Sequence, residues 1–526
     1  METSDKNPAP AAAPESRFTV SPMTLAADRW MGRLIRVGGV GVVLAVFGML
    51  AFLIVQVFPL FIGATVAPIS ALTVPATAMG FGEDEYGEVP FVVLADGSLV
   101  FQRSKDGTKA LDWAPSLGNR RVSSVKTYPR TGLVFLGLSD GTVMEVRVSY
   151  RSTFDAAGKR TIEPSVAALE PVAIGKPGLP CVDVWNAKGS LSRLLLVRQE
   201  DNGKPLLTAV RLTERKGLGG KARVVVSDPF VVAADAPSIS QILLPSTAES
   251  LIVVGKSGEV RAYADDGANF SFLQSFVPFK ESRDPAVSSA GLIFGNVSVV
   301  FVCRSGEQQV WSMYPQLQPD GKSLRRWGKI HDGEVLAGAG EGVYAAEGNK
   351  CYLAVAGGRL QLRNMTTGTL RWEGEAPAGS IRQVAFSGNY DRFTALSADG
   401  KLHRWSIEDH HPESSWGAFF GKIWYEGATG PDYTWQSSSG SDEFEAKYSM
   451  MPLIYGTAKG TFFALLFALP IALTAAIYVS QFLRPEYRNV VKPVMEIMAS
   501  LPSVVLGFLA CLWLAPLVDP RLISIF

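Results

Sequence analysis

Cysteine and histidine, the side chains most often used as nucleophiles and metal ligands, are few in this sequence and do not cluster. The chain of 526 residues has four of each, and its cysteines are Cys181, Cys303, Cys351 and Cys511. No two of them form a Cys-x-x-Cys pair, so the sequence predicts neither a zinc site nor a thioredoxin-like redox site. Cys511 lies in an apolar run and the others lie on predicted strands, which favours buried free thiols. A disulfide between Cys303 and Cys351 is the alternative.

The other patterns that could support catalysis or nucleotide binding are incomplete. His410 and His411 stand in a polar turn, where solvated imidazoles are favoured over metal ligands. Residues 321–323 (Gly-Lys-Ser) end like a phosphate-binding loop, but Gln316 occupies the position of its first glycine. The sequence contains no nucleophile elbow, zinc-protease motif or paired-carboxylate motif. We therefore predict that the chain is not an enzyme, has no catalytic residue, metal or cofactor, and depends on another chain for energy.

Three long apolar runs predict membrane spans. The first, Val37 to Ala64, has 28 residues without a charge. A helix of about 20 residues crosses the hydrocarbon core, whereas the apolar region of a signal peptide has about 7–15 residues. Arg29, Arg33 and Arg36 precede this run, and no lysine or arginine follows it until Arg103. The positive-inside rule therefore predicts a cytoplasmic N-terminus and an extracytoplasmic middle region.

The second and third predicted spans lie near the C-terminus. Leu453 to Phe482 is interrupted only by Lys459 and Pro470, and Ala499 to Leu517 is free of charge. Between them we predict a cytoplasmic loop over residues 483–498. The residues we single out in it are Arg484, Arg488, Lys492 and Glu496. These basic residues give the same orientation as the first span, so the predicted topology is in, out, in, out.

Composition divides the rest of the chain. Lys plus Arg (50) nearly equals Asp plus Glu (49), so no global field favours nucleic acid as a partner. Residues 1–28 are rich in Pro, Ala and Ser and predict a disordered cytoplasmic tail before a spanning segment over 29–64. Residues 65–435 predict a soluble periplasmic domain. Polar residues 436–451 predict a linker to a membrane segment over 452–526.

The middle region contains a recurring turn in which glycine is the second residue. The seven turns are Asp96-Gly97, Asp140-Gly141, Asn202-Gly203, Ser257-Gly258, Ser305-Gly306, Gly357-Gly358 and Asp399-Gly400. Such pairs are typical of type I′ hairpins, whose two central residues both need positive φ. The glycines are 42 residues (358 to 400) to 62 residues (141 to 203) apart, which is typical of propeller blades. The fold class predicted is membrane α-helical with three spans, plus an all-β seven-bladed β-propeller.

Aromatic residues support the propeller prediction. Tyr263, Trp311 and Trp405 each fall five residues after a turn glycine. Together with Gly368 and Trp372, they resemble the repeats of WD and quinoprotein-type propellers. We interpret these side chains as packing between blades, and a quinone pocket is the alternative.

The C-terminal segment resembles the permease subunit of the phosphate-specific ABC importer. The motifs that carry the resemblance are Asp442-Glu-Phe-Glu445, Pro452-Leu-Ile-Tyr-Gly-Thr457, Gly460-Thr461, Pro470, Ala475-Ala-Ile-Tyr-Val-Ser-Gln-Phe482 and Met495-Glu-Ile-Met-Ala-Ser-Leu-Pro-Ser-Val-Val-Leu-Gly507. Some bacterial members of this family carry a large extracytoplasmic insertion between their first and second spans. The resemblance implies a six-span permease in the bacterial inner membrane. Its implied partners are membrane lipid, a second permease subunit, two ATPase subunits and a periplasmic phosphate-binding protein.

The family's ATPase-docking loop is expected beyond the third span, and this sequence stops at Phe526. We expect either the N-terminal portion of a longer permease or a permease whose remaining spans form a separate polypeptide. On its own, the chain is expected neither to couple to ATP nor to transport.

The membrane segment contains candidate residues for a translocation path. Phosphate cannot cross hydrocarbon bare, so its path needs hydroxyls, backbone N–H groups or cations. Ser500 and Ser503 flank Pro502, which removes a backbone donor, and Gly507 would let a neighbouring helix approach. Helix packing without an ion path is the alternative for these residues. Lys459 would attract anions at the outer mouth, or would act as an interfacial anchor.

Two classes of function follow. The first is a permease component of a phosphate-type ABC importer that bears a periplasmic propeller. The second is a membrane-anchored propeller scaffold that recruits partner proteins without transporting anything. A quinoprotein enzyme is a third reading, but the sequence shows no cofactor-binding constellation for it.

Overall fold

The computed structural model describes residues 21–514 except 155–157, 190–191, 217–221, 234–237, 318–320, 322, 441–443 and 502. The chain divides into two compact units, Met1–Ser449 and Met450–Phe526. The first contains a long apolar helix and a ring of β-sheets, and the second is helical.

The ring consists of seven antiparallel sheets of four or five strands each. Its first strand, β1 (Thr65–Thr73), belongs to the last sheet. Blade 1 contains β2 (Ala78–Gly82), β3 (Phe91–Leu94), β4 (Leu99–Gln102) and β5 (Lys109–Trp113). Blade 2 contains β6 (Val122–Tyr128), β7 (Leu133–Leu138), β8 (Thr142–Phe154), β9 (Arg160–Ala168) and β10 (Val172–Ala173). Blade 3 contains β11 (Asp183–Lys188), β12 (Arg193–Asp201), β13 (Lys204–Lys216), β14 (Ala222–Val226) and β15 (Phe230–Val232).

The remaining four blades have four strands each. Blade 4 contains β16 (Gln241–Leu243), β17 (Ser250–Val254), β18 (Val260–Asp265) and β19 (Phe270–Phe276). Blade 5 contains β20 (Val287–Leu292), β21 (Ser298–Cys303), β22 (Gln308–Leu317) and β23 (Ser323–Gly333). Blade 6 contains β24 (Gly340–Ala345), β25 (Cys351–Ala356), β26 (Arg359–Asn364) and β27 (Leu370–Glu375). Blade 7 contains β28 (Ile381–Phe386), β29 (Arg392–Ser397) and β30 (Lys401–Glu408), and β1 completes it.

The ring is closed, as a seven-bladed propeller requires. First strands of neighbouring blades lie side by side at six junctions, including β28 of blade 7 beside β2 of blade 1, and blades 3 and 4 share a buried apolar cluster. Strand β1 pairs with β30 in antiparallel register from Thr65↔Glu408 to Thr73↔Lys401. The first strand of the ring therefore closes its last sheet, and the predicted seven-bladed propeller is confirmed.

The hydrophobic core lies between the blades. Tyr263 is buried in a cluster shared by blades 3 and 4, and Trp311 of blade 5 stacks on Phe276 of blade 4 with centroids 4.3 Å apart. Trp405 stacks on Phe393 at 4.7 Å within a cluster shared by blades 6 and 7. The interpretation of these aromatic residues as blade packing is confirmed.

Side-chain hydrogen bonds also join neighbouring blades. Gln241 of β16 donates to the carbonyl of Ala290 (2.6 Å) and accepts from its N–H (3.0 Å). Gln383 of β28 accepts from the N–H of Phe81 (3.1 Å) and bonds the hydroxyl of Thr127. These pairs satisfy polar groups that would otherwise lie between blades without partners.

Three cysteines lie within this core. Cys181, Cys303 and Cys351 are buried free thiols, as predicted, and Cys511 is exposed. Since Cys303 and Cys351 are both free, the alternative disulfide between blades 5 and 6 is not formed.

The seven predicted turns are present, but five of them are not type I′. All seven second-position glycines have positive φ, between 75° and 87°. The first residue has positive φ only at Asn202 (51°) and Gly357 (55°). In the other five the N–H of the glycine donates to the carbonyl three residues earlier, as from Gly97 to Leu94 at 2.9 Å. Type I′ is therefore wrong for these five. In the turns at Asp96, Asp140 and Asp399, the aspartate side chain accepts a hydrogen bond from the backbone N–H two residues later, which stabilises the turn.

A long apolar helix precedes the propeller. Helix α1 (Pro22–Val57) is followed by a 3₁₀ turn (Phe58–Phe61), and no residue of this fully described helix is buried. Residues 1–20 of the predicted disordered tail lie outside the described residues. Residues 22–28 are helical instead, because the Ser21 hydroxyl caps the N–H groups of Met23 and Thr24 and Pro22 occupies the first turn.

The segment after the propeller is not a free linker. Helix α2 (Trp416–Phe420) is followed by β31 (Trp435–Gln436) and β32 (Lys447–Tyr448), which pair with each other. The predicted linker of 436–451 is therefore part of the first unit as far as Ser449. Residues 441–443 of this linker lie outside the described part. Its aromatic residues account for this, because Tyr448 packs near Trp435 and Phe419.

The second unit begins with the other long apolar helix. Helix α3 (Met451–Ile477) continues in a π-helical turn (Tyr478–Phe482). Helix α4 (Pro485–Ser500) occupies the predicted cytoplasmic loop of 483–498, and α5 (Ser503–Leu509) continues in a second π turn (Ala510–Leu514).

Within the described residues two helices are long and apolar enough to cross a membrane, and the bent pair α4–α5 is a third only if it counts as one span. The prediction of a continuous span from Ala499 to Leu517 is therefore wrong. The chain bends by 89° between α4 and α5. Leu501 is extended (φ −70°, ψ 133°), as expected for a residue before proline. Residues 515–526, including the predicted end of the span, lie outside the described part.

Two turn glycines provide a matched test of the propeller. At Gly258 (φ 87°) a Cβ would overlap the carbonyl oxygen of Pro285, whereas at Gly203 (φ 76°) it would meet nothing within 4 Å. We expect Gly203→Ala to cost about 1 kcal/mol through backbone strain alone. Gly258→Ala should cost more, by roughly 1–3 kcal/mol, because the backbone of the next blade must also move. Chemical denaturation of the full chain in detergent measures both, and equal losses would contradict the contact.

Candidate functional site

The residues predicted to line a translocation path lie on separate helices of the second unit. Lys459 lies on α3, Ser500 ends α4, and Ser503 and Gly507 lie on α5. Pro502 lies outside the described residues. The structure thus places the two serines on either side of the bend between α4 and α5, not along one helix.

The hydroxyl of Ser500 already has a partner within its own helix. Ser500 donates to the carbonyl of Ile497 at 2.6 Å, so its proton is used within its own helix. In this arrangement the hydroxyl of Ser500 can accept a hydrogen bond from another group but cannot donate one to it. A Cβ at Gly507 would meet nothing within 4 Å, so this glycine leaves a free helix surface. That surface can accept a close helix neighbour.

Arg488 has a structural contact that the sequence did not indicate. Its guanidinium donates to the carbonyl of Val479 (3.1 Å) and to that of Ser480. It thereby caps the C-terminal end of the α3 segment, where carbonyls lack helical partners. Lys492 and Glu496 follow it at four-residue intervals and so share one side of α4. Arg484 lies just before α4, at its N-cap.

A small cavity lies beside the segment through which the chain leaves the propeller. Its volume is about 200 Å³. The residues lining it are Phe294, Gly348, Asn349, Lys350, Asn364, Pro412, Glu413, Ser437, Phe444, Glu445 and Ala446. The cavity therefore joins blades 5 and 6 to the segment before β32.

The charged residues at this cavity hold the segment to blade 6. The Lys350 side chain, 5% exposed, donates to Glu426 at 2.5 Å and to the carbonyl of Phe294. Glu445 accepts from the hydroxyl of Thr366 at 2.9 Å. The sequence analysis singled out Glu445 only as part of a family motif. It could not indicate the contact with Thr366, because the two residues are 79 positions apart in the sequence.

The ionisation of Glu445 is strongly perturbed. Burial raises the pKa of Glu445 to about 7, and nearby Glu426 and Glu413 act in the same direction. The hydroxyl of Thr366 and the charge of Lys350 lower that pKa but do not cancel the effect of burial. One carboxylate oxygen of Glu445 and one of Glu426 are buried without a hydrogen-bond partner. We therefore expect the contact between this segment and blade 6 to weaken as the pH rises from 4.5 to about 7.

A larger cavity of about 1370 Å³ opens among the inner strands of blades 2 to 7. Its lining includes Arg130, Lys188 and Glu214. It also contains Glu145, which binds Arg147 at 2.6 Å and Arg193. Burial acts to raise the pKa of Glu145, but the two arginines outweigh burial and hold it below its ordinary value. The cavity thus presents both signs of charge, and it does not select one sign of small ion.

Metal binding has no candidate among the described residues. No group of three or more His, Cys, Asp or Glu side chains in that part of the chain could hold a metal ion. In the described structure, His403 instead stacks near Trp405 at 5.9 Å, and His411 lies 3.5 Å from Glu413.

Comparison with known proteins finds one short sequence match. No protein-family model matches the chain. A segment of 74 residues, 14% of this chain, is 31% identical to the Bacillus subtilis (strain 168) protein described as "Probable ABC transporter permease protein YqgH". The match covers 24% of that protein, so the chain spans about a quarter of the length of the curated relative it matches.

Two solved structures of low sequence identity are also similar. The β-propeller domain of Cps50 (Swd1) from Myceliophteria thermophila is 12% identical, with a TM-score of 0.42 over 65% of this chain and 100% of that domain. A chain of the mitotic checkpoint complex is 12% identical, with a TM-score of 0.43 over 65% of this chain and 95% of its own length. The propeller assignment rests on the closed ring of seven sheets described above.

The raised pKa of Glu445 predicts a pH dependence of stability. Its ordinary value is 4.5 and its folded value about 7, so the neutral form is favoured in the folded protein. Stability contributed by the docked segment should be greatest below pH 4.5, fall as the pH rises from 4.5 to about 7 and level off above, with a loss of roughly 1–3 kcal/mol between pH 5.5 and 8. Thermal unfolding of the full chain in detergent at pH 5.5 and 8 measures this change. Glu445→Gln should reduce the difference between the two pH values, and an unchanged difference would exclude Glu445 as its source.

Proposed function

We propose that this chain is a permease component of an ABC importer, forming part of a transmembrane path driven by a separate ATPase subunit. The observation that carries the proposal is its 31% identity, over 74 residues, to a protein described as an ABC transporter permease. Two apolar helices, α1 and α3, are each long enough to cross a membrane, which supports the same assignment.

Inorganic phosphate is the proposed substrate. Support comes from the resemblance of residues 442–507 to the permease of the phosphate-specific importer, above all in the block Met495 to Gly507. The proposed partners are a second permease subunit, ATPase subunits, a periplasmic phosphate-binding protein and membrane lipid. The proposed location is the bacterial inner membrane, with the N-terminus in the cytoplasm and the propeller in the periplasm. Arg29, Arg33 and Arg36, which lie in the N-terminal part of α1 before its apolar run, support this orientation.

Closure of the propeller makes an insertion between two spans physically reasonable. Thr65 and Glu408, the first and last paired residues of blade 7, are directly opposite each other. A domain whose ends meet can interrupt a membrane protein without forcing the flanking helices apart. The propeller itself is then free to bind other molecules.

A scaffold without transport is the second candidate. It is favoured by the cavity of about 1370 Å³, whose lining of mixed charge suits a protein partner better than a small anion. In this reading the helices anchor the propeller to the membrane, and the partner binds at the inner strands.

Substitution of Gly507 tests the transport proposal. Gly507→Leu should lower phosphate uptake to the level of cells lacking the chain, because a bulky residue would hold a neighbouring helix away. Val504→Leu, on the same helix and already 80% exposed, is the matched control and should preserve uptake. Radiolabelled phosphate uptake at equal membrane abundance measures both. Wild-type uptake in cells lacking the chain would contradict transport and favour the scaffold.

Cysteine labelling tests the proposed orientation. In a Cys511→Ser background the remaining cysteines are buried. Lys204→Cys, in the exposed hairpin between β12 and β13, should react with an impermeant maleimide from the periplasm. Tyr487→Cys, 60% exposed on α4, should react only after the membrane is opened. Reaction in the reverse pattern would contradict the orientation.

A further inference from the structure

The 3₁₀ turn that follows α1 is fixed to the propeller by polar contacts. The carbonyl of Leu60 accepts from the hydroxyl of Ser414 at 2.7 Å, and that of Ile62 accepts from Arg371 at 3.0 Å. Arg371 in turn pairs with Asp409 at 2.6 Å, and these two side chains are 7% and 1% exposed. Buried pairs of this kind hold one geometry, since removal of either partner would leave an unpaired charge. The last turn before β1, the 3₁₀ turn Phe58–Phe61, is therefore held in a defined position on blades 6 and 7.

Helix α2 lies directly against this last turn. Ser415 caps α2 by accepting from the N–H of Ala418 at 3.0 Å. The ring of Phe61 lies 4.6 Å from that of Trp416 and 5.3 Å from that of Phe419. Phe419 is 6% exposed and anchors the helix to the first unit. Helix α2 is thus packed against the 3₁₀ turn that follows α1.

The outer side of this arrangement exposes aromatic rings. Trp416 is 67% exposed and stacks on Phe420, which is 47% exposed, with centroids 5.9 Å apart. Phe61 is 41% exposed, and Trp435, also 41% exposed, is linked to this group through the rings of Tyr448 and Phe419. We name these four residues (Phe61, Trp416, Phe420 and Trp435) the aromatic collar. Aromatic surface left in water is unfavourable by roughly 25 cal/mol per Å², so the collar requires a cover.

The position of the collar indicates what covers it. It is continuous, through Phe61, with an apolar helix in which no residue is buried against protein. Tryptophan is favoured at the headgroup level of bilayers, because its apolar ring and polar N–H suit that boundary. Lys422, two residues after Phe420 in the sequence, has its ammonium 5.5 Å from the centroid of the Tyr433 ring. A cation there complements anionic headgroups.

We propose that the aromatic collar inserts into the headgroup region of the lipid bilayer and fixes the depth and tilt of the propeller on the membrane. The inference rests on the proposed membrane-spanning role of α1. It assigns one face of the ring to the lipid, namely the face where β30 ends and α2 follows. The seven glycine turns, which join the second and third strands of the blades, lie at the opposite ends of those strands and face away from the membrane.

Spin labels on the full chain test this placement. The chain, in the Cys511→Ser background, is reconstituted into nanodiscs of phosphatidylcholine and phosphatidylglycerol. Labels at Trp416→Cys and, as a second collar variant, Phe420→Cys are compared with Val46→Cys in the middle of α1. Lys204→Cys, in the hairpin between β12 and β13, is the matched control in water. Collisions with oxygen, which concentrates in lipid, and with a nickel chelate, which stays in water, are measured by power saturation.

We expect the oxygen-to-nickel collision ratio at both collar positions to lie between the values at positions 46 and 204. A collar ratio equal to that at position 204, with position 46 in lipid, would overturn the collar while leaving the membrane anchor intact. Collar labels protected from both reagents would show a protein cover and would also overturn the inference. An aqueous ratio at position 46 would instead contradict the span, and with it both the proposed function and the collar.

Discussion

Pairing of β1 with β30 is the constraint on which the rest of the first unit depends. The last blade of the ring is completed by a strand from the other end of the domain, which ties the two ends of the ring together. Here that strand directly follows the apolar helix α1, and its first residue, Thr65, lies opposite Glu408 at the end of the last strand. The chain therefore enters and leaves the propeller at adjacent points. The buried pair of Arg371 and Asp409 lies at the same corner and fixes both segments.

The same geometry distributes the core around the ring. Each apolar cluster is shared by neighbouring blades, so a blade alone would expose half of its core. Gln241 and Gln383 satisfy backbone groups across these interfaces. Beyond the ring, the segment that leads towards α3 is held to blade 6 through Thr366 and Glu445. The propeller and its exit segment thus form one folded unit.

The functional proposal and the fold rest on different parts of the chain. The propeller supplies closed sheets and charged cavities, but propellers serve unrelated functions, so the fold alone assigns none. The transporter proposal depends on a short sequence match and on apolar helices. The collar connects the two, because it gives the propeller a physical reason to lie against a membrane. It would do so in a transporter or in a scaffold.

The sequence determined the features that repeat or extend along the chain. Seven turn glycines predicted seven blades, since positive φ is a local requirement that glycine meets. The apolar runs before residue 64 and after residue 452 predicted α1 and α3, because a membrane span depends on length and composition alone. Only the tertiary structure decided what depends on distant partners. A bend between α4 and α5 replaced a continuous span, Ser500 turned its hydroxyl to its own helix, and Glu445 was buried beside Thr366. The collar likewise required Phe61 and Trp416, 355 positions apart in the sequence, to meet through closure of the ring.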